Sequence, residues 1–188
     1  MQNKLDPLQA YKIGFTGLSI GNHLFSFEID QTFFECFEQS EIEQCLIHLD
    51  LSFEKETNML ILDFAFSGWV GMDCDRCLTR FREYINSENR LYVKFGDTYS
   101  EQDENVVVIP HGDTHFDISQ FIYEFMHLNL PIRRVHPVDE HGVSACDRDM
   151  IEKMKQHAPG AGKANQQDKD TPSTWDALKS LRFDNEEN

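Results

Sequence analysis

The sequence predicts an α+β fold: a mainly antiparallel sheet or partial barrel, followed by a capped helix, a Cys/His loop and a tethered C-terminal helix. Three observations carry that expectation. Residues 45–69 alternate apolar and polar side chains, residues 118–126 switch to helical spacing, and residues 158–172 hold almost no large apolar side chain. The 188 residues are 40% hydrophobic and include 15 Phe, enough to bury one core. The expected organisation is one α+β domain over residues 1–157, a linker over 158–172 and a closing amphipathic helix and tail over 173–188.

The first half of the chain reads as strands. Cys45, Ile47, Leu49, Leu51 and Phe53 alternate with Leu46, His48, Asp50, Ser52 and Glu54, as in a strand with one buried face. After the polar turn Lys55-Glu56-Thr57-Asn58, residues 59–69 place Leu60, Leu62, Phe64 and Phe66 on one side. The two runs pair as an antiparallel hairpin. Further strands are expected at 81–85 and 90–95, then an acidic loop over 96–104 and a short buried strand over 106–109 ended by Pro110. Cys36 and Cys45, among Phe33, Phe34, Phe37 and Leu46, read as small buried hydrophobes.

The period then changes. Ile118, Phe121, Ile122, Phe125 and Met126 recur at helical spacing, with Asp117 at the N-cap position and Gln120 three residues on, as in a capping box. Pro131 ends the helix by disfavouring helical geometry at Leu130. Glu124, at the edge of the polar face, reads either as a solvated charge or as a partner of Arg133 or Arg134. A short helix is expected at 147–156. The linker that follows spans roughly 50 Å when extended. Beyond it, Trp175, Leu178 and Leu181 form the apolar stripe of a helix of about ten residues, too short to stand alone in water. That stripe must dock on the protein's own domain or on a partner.

Cys74 and Cys77, in Gly71-Met72-Asp73-Cys74-Asp75-Arg76-Cys77-Leu78, are spaced so that one tight turn aims two sulfurs at a point. Two cysteines do not complete a tetrahedral zinc site. Further donors lie in the run from Arg133 to Cys146, where Cys146 with either His136 or His141 would make a three-sulfur, one-nitrogen set for Zn2+. Free thiols packed in a loop are the alternative. A catalytic dithiol is disfavoured, because the motif lies between two strands rather than at a helix start, and Asp73 and Asp75 would raise a thiol pKa. His136, Asp139, Glu140 and His141 could instead serve a metal-dependent hydrolase or nuclease. No phosphate-cradling glycine loop, nucleophile elbow or zincin helix appears, and no catalytic residue or organic cofactor site is assigned.

Asp and Glu number 33 against 17 Lys and Arg, giving a net charge of −16. Such a field repels phosphate backbones and attracts basic partners. The first residues lack the apolar core of a signal peptide, and no stretch approaches the roughly 20 apolar residues of a membrane span. Five cysteines is an odd count, favouring reduced thiols or metal ligation over a disulfide framework. A cytoplasmic protein is expected, with no membrane partner and no small-molecule substrate.

Three segments together resemble the YceD family of large-subunit ribosomal RNA accumulation proteins. Gly71 to Leu78 is similar to the family's strand-then-CxRCL signature. Phe116-Asp117-Ile118 through Glu124, Leu128, Leu130, Pro131 and Ile132 resembles its D-L…E…L-x-L-P-I helix, and Trp175-Asp176-Ala177-Leu178-Lys179-Ser180-Leu181 its closing tryptophan helix. Many members carry a cysteine-rich segment after the LP motif, where this chain keeps Cys146 alongside His136 and His141. The resemblance implies a non-enzymatic role in accumulation or assembly of large-subunit ribosomal RNA, and an association with a small basic protein of that subunit. The charge fits a shield for a basic ribosomal protein, while Arg76, Arg80, Arg82, Arg133 and Arg134 offer a local patch for precursor ribosomal RNA. A zinc-stabilised interaction module unrelated to the ribosome is a further alternative.

Overall fold

The computed structural model describes residues 7–138 and 140–158. The chain divides into two units, Met1–Asp147 and Arg148–Asn188. The first holds strands β1 (Lys12–Gly14), β2 (Gly21–Asp30), β3 (Cys45–Lys55), β4 (Met59–Asp73), β5 (Arg80–Gly96), β6 (Ser100–Asp103), β7 (Val106–Pro110) and β8 (His115–Asp117), with helices α1 (Gln31–Phe34) and α2 (Ser119–Leu128). In the second unit the described element is α3 (Arg148–His157). The linker beyond Ala158 and the closing helix with Trp175, Leu178 and Leu181 lie outside the described residues. No described helix is long and apolar enough to cross a membrane.

The β3–β4 hairpin expected from alternation is the centre of a six-stranded sheet ordered β2-β3-β4-β5-β7-β6. Strand β7 runs parallel to β5, and the other neighbours are antiparallel. β1 and β8 form a separate two-stranded ribbon. The six-stranded sheet is open, with β2 and β6 at its edges, so the antiparallel sheet forms without barrel closure. Register sets Leu49 opposite Phe66, Leu51 opposite Phe64 and Phe53 opposite Leu62, all buried on one face. Each such side chain contributes roughly 1.5–3 kcal/mol by leaving water. Helix α2 adds Ile122, Phe125 and Met126 to this core, with Phe125 meeting Phe64 edge-on at a ring separation of 5.2 Å.

Several local expectations are corrected. The two strands expected at 81–85 and 90–95 are one strand, β5, which pairs with β4 along its length. Its polar middle, Asn86-Ser87-Glu88-Asn89, mimics a turn in sequence. In the sheet Asn86 and Glu88 face solvent, while the side-chain oxygen Oδ1 of Asn89 accepts a hydrogen bond from the Asn129 side-chain amide at 2.9 Å. The acidic 96–104 segment contains edge strand β6, antiparallel to β7. Ile118 rather than Asp117 stands at the N-cap position; Asp117 Oδ1, one residue earlier, accepts from the Ser119 N–H at 2.9 Å, and Gln120 does not close a capping box. Its amide donates to Glu124 Oε1 at 2.7 Å. Glu124 therefore meets neither Arg133 nor Arg134. Cys45 is buried as expected, whereas Cys36 is exposed because α1 ends before it.

Candidate metal centre

Strands β4 and β5 stay paired up to Asp73 and Arg80, which leaves six residues to reverse the chain. The Cys74 N–H donates to the Thr79 carbonyl at 3.1 Å and the Leu78 N–H to the Cys74 carbonyl at 2.8 Å. Leu78, at φ 60°, takes the left-handed conformation that such a reversal requires. The Arg76 N–H lies 3.4 Å from Cys74 Sγ, and the Thr79 hydroxyl 3.0 Å from Cys77 Sγ. Both sulfurs are buried.

Asp75 attaches the loop after α2 to this turn. Its N–H donates to the Arg134 carbonyl at 2.7 Å, and its Oδ2 accepts from the Arg134 N–H at 2.7 Å. Two residues on, His136 Nδ1 lies 3.4 Å from Cys77 Sγ, with the imidazole packed on Phe81 at 4.7 Å. The chain then doubles back through the Val138–Ser144 bridge and an Ala145 N–H bond to the Pro137 carbonyl at 3.3 Å. Cys146 thereby comes within 3.8 Å, sulfur to sulfur, of Cys74.

The structure thus brings Cys74, Cys77, His136 and Cys146 together, their donor atoms all within 4.8 Å of one another. His141 and Glu140 are exposed and outside this group, and Asp139 is not among the described residues. The donor set suits zinc. Bonds of about 2.3 Å to sulfur and about 2.05 Å to nitrogen at tetrahedral angles imply edges of roughly 3.8 Å between sulfurs and 3.55 Å between sulfur and nitrogen. The 3.8 Å and 3.4 Å separations at Cys74–Cys146 and Cys77–His136 approach those edges. With such an ion held by all four, no coordination position is left for substrate, as in structural rather than catalytic sites.

The expectation that Asp73 and Asp75 would raise the thiol pKa fails at Cys74. Burial pushes that thiol up, but hydrogen bonds from the backbone of Arg76, His136 and Cys77 outweigh it and bring it down to about 7. The two carboxylates are turned elsewhere: Asp73 accepts from Arg80 Nε at 3.0 Å, and Asp75 from the Arg134 backbone. Cys77 is likewise lowered, with burial opposed chiefly by the Thr79 hydroxyl and N–H and the Asp147 N–H. At Cys146 a hydrogen bond with Ser144 lowers the pKa, but burial and the neighbouring sulfurs prevail and raise it. The sequence marks Asp75 only as an acidic neighbour of the thiols and gives Thr79 and Ser144 no role, since a carboxylate or hydroxyl one or two residues from a cysteine has no distinctive spacing.

The arginines expected to form a patch are largely engaged. Arg80 also reaches Glu43 at 2.8 Å, Arg134 pairs with Glu41 at 2.7 Å, and Arg82 lies over the Trp69 ring at 4.2 Å. Arg76 and Arg133 are exposed.

The family model described as Large ribosomal RNA subunit accumulation protein YceD matches residues 62–182. The matched segment begins in β4 and includes all four clustered donors and α2. No curated protein and no solved structure matches the chain. More than half of the sequence, including the CxxC turn and the loop that closes on it, falls within this match, and the chain belongs to the YceD family of large ribosomal RNA subunit accumulation proteins.

Proposed function

We propose that this chain is a non-enzymatic factor that supports large-subunit ribosomal RNA accumulation by holding a basic ribosomal protein during assembly. The observation that carries this reading is the net charge of −16 in a member of that family. Gripping naked RNA requires clustered Lys and Arg that displace counterions. Here three of the five candidate arginines are tied to Asp73, Glu43, Glu41 or Trp69, which favours protein over precursor RNA as the principal ligand.

Zinc held by Cys74, Cys77, His136 and Cys146 is the structural part of the proposal. It would cross-link the β4–β5 turn to the loop after α2 and supply no reactive position. A hydrolase built on His136, Asp139, Glu140 and His141 would need an open one.

Affinity purification from cell extract tests the function. Basic large-subunit proteins are expected with the chain, and recovery of neither those proteins nor ribosomal RNA precursors overturns it. Incubation of the purified protein with ribosomal RNA is expected to leave the RNA intact. Metal-dependent cleavage lost in His136→Ala would establish an enzyme instead.

A further inference from the structure

We infer that the groove between α2 and the β6–β7 hairpin is a docking site for a basic polypeptide segment that carries apolar side chains. This rests on the proposed function and specifies the surface and chemistry by which the partner would be held. The groove has a volume of about 500 Å³. Its apolar lining includes the buried Val107, the half-buried Phe121 and Leu128, the last 76% exposed at the end of its helix. Glu101, Asp103, Glu104 and Glu124 line it, and among the described residues no Lys or Arg does.

These carboxylates differ from four others in the first unit, Asp63, Glu41, Glu43 and Asp73, which each meet an arginine. By contrast, Glu101 accepts from the Tyr99 hydroxyl at 2.8 Å, Glu124 from the Gln120 amide at 2.7 Å and Asp103 from the Glu104 N–H at 2.9 Å. All three donors are neutral, so the negative charge is undiminished. Tyr99 registers it: burial, the hydrogen bond to Glu101 and the charges of Glu101 and Glu124 push its hydroxyl up to about 12. An apolar lining that reaches the surface at Leu128 and uncompensated acidic side chains are together complementary to interspersed Leu-type and Arg or Lys side chains. The same acidic lining repels RNA. It also disfavours the chain's own closing segment, residues 173–188, where Asp176, Asp184, Glu186 and Glu187 outnumber Lys179 and Arg182.

The test uses the full chain and a fluorescently labelled peptide of about 15 residues in which Arg and Leu alternate, an arrangement that offers charges and apolar anchors together. Binding is measured by anisotropy for the unmodified chain, for Glu101→Gln/Glu124→Gln, and for Glu54→Gln/Glu88→Gln, which removes equal charge from exposed positions on the opposite sheet face. The groove variant is expected to bind at least about tenfold more weakly, with the control close to the unmodified chain. Equal loss in both variants, or no loss in the groove variant, overturns the site. Purification from extract separates the two readings. If the groove variant recovers as much large-subunit protein as the unmodified chain, the site is wrong and the function stands. If the unmodified chain recovers no ribosomal component yet binds the peptide through the groove, the function is wrong and the site stands. Recovery of precursor RNA in place of protein overturns the choice of occupant.

Discussion

Cys74 and Cys146 are separated by 72 positions, yet their sulfurs lie 3.8 Å apart. One belongs to the turn between β4 and β5, the other to the end of the loop that follows α2. A metal bridging them would close a long chain segment, so its effect would reach beyond the local turn.

Chain purified without an affinity tag is therefore expected to contain one zinc per molecule by elemental analysis. Cys146→Ser should abolish it and destabilise the protein by about 3 kcal/mol, lowering Tm by roughly 6–12 °C in a chain of this size. Cys36→Ser, at an exposed cysteine outside the cluster, should leave both zinc content and Tm unchanged.

The clamp at Asp75 predicts a different phenotype. Removing its carboxylate frees the Arg134 N–H and loosens the approach of His136, without deleting a donor. Asp75→Ala should weaken zinc binding about 10–100-fold in a competition titration. Asp75→Asn keeps an accepting oxygen and should bind nearly as the unmodified chain does.

That clamp also shows where the sequence is legible and where it is not. The CxxC pair announces itself because both donors lie within one turn. The choice of His136 over His141 depends on how the 133–146 loop approaches that turn, and Asp75, which fixes the approach, looks in sequence like one more acid in an acidic chain. The same limit applies to the sheet. Cys45 to Phe53 reveal their strand through burial of alternate residues, a local signal. The continuity of β5 through Asn86-Ser87-Glu88-Asn89 is imposed by the length of β4 beside it, which is not local.

Gly68 tests that ladder. It sits opposite Ile47 at φ +150°, and a Cβ there would lie 2.2 Å from the Leu46 carbonyl oxygen and 2.8 Å from Ile47 Cα. Both obstacles are backbone in the central hairpin, so neither can swing aside. Gly68→Ala should destabilise the protein by about 1–3 kcal/mol or more in urea titration.

Asp117 predicts a smaller loss. Its carboxylate satisfies the Ser119 N–H at the start of α2, whose buried face completes the core. Asp117→Ala should cost about 0.5–2 kcal/mol, and Asp117→Asn much less, because the amide oxygen still accepts. Gln120→Ala should have little effect on stability, since its side chain reaches forward to Glu124 rather than back to the cap.

His48 gives the chain a pH dependence of known sign. On the outer sheet face it stands opposite Glu28, with Nδ1 2.6 Å from Glu28 Oε1 and Nε2 3.2 Å from Asp50 Oδ1. The hydrogen bond to Glu28 is the largest influence and raises its pKa above the ordinary 6.5; burial opposes it, and the charges of Asp50 and Glu28 and the Asp50 hydrogen bond add to the rise. A group whose folded pKa is raised binds its proton more tightly in the folded state. Its stabilisation is complete below the unfolded pKa and is lost as pH rises through the folded one. Because the ring is exposed, the effect is screened by salt. Proton NMR should place the His48 midpoint above that of an unstructured histidine, with Glu28→Gln and high salt each moving it back. A midpoint unmoved by Glu28→Gln would show that the contact across β2 and β3 does not hold the charge in solution.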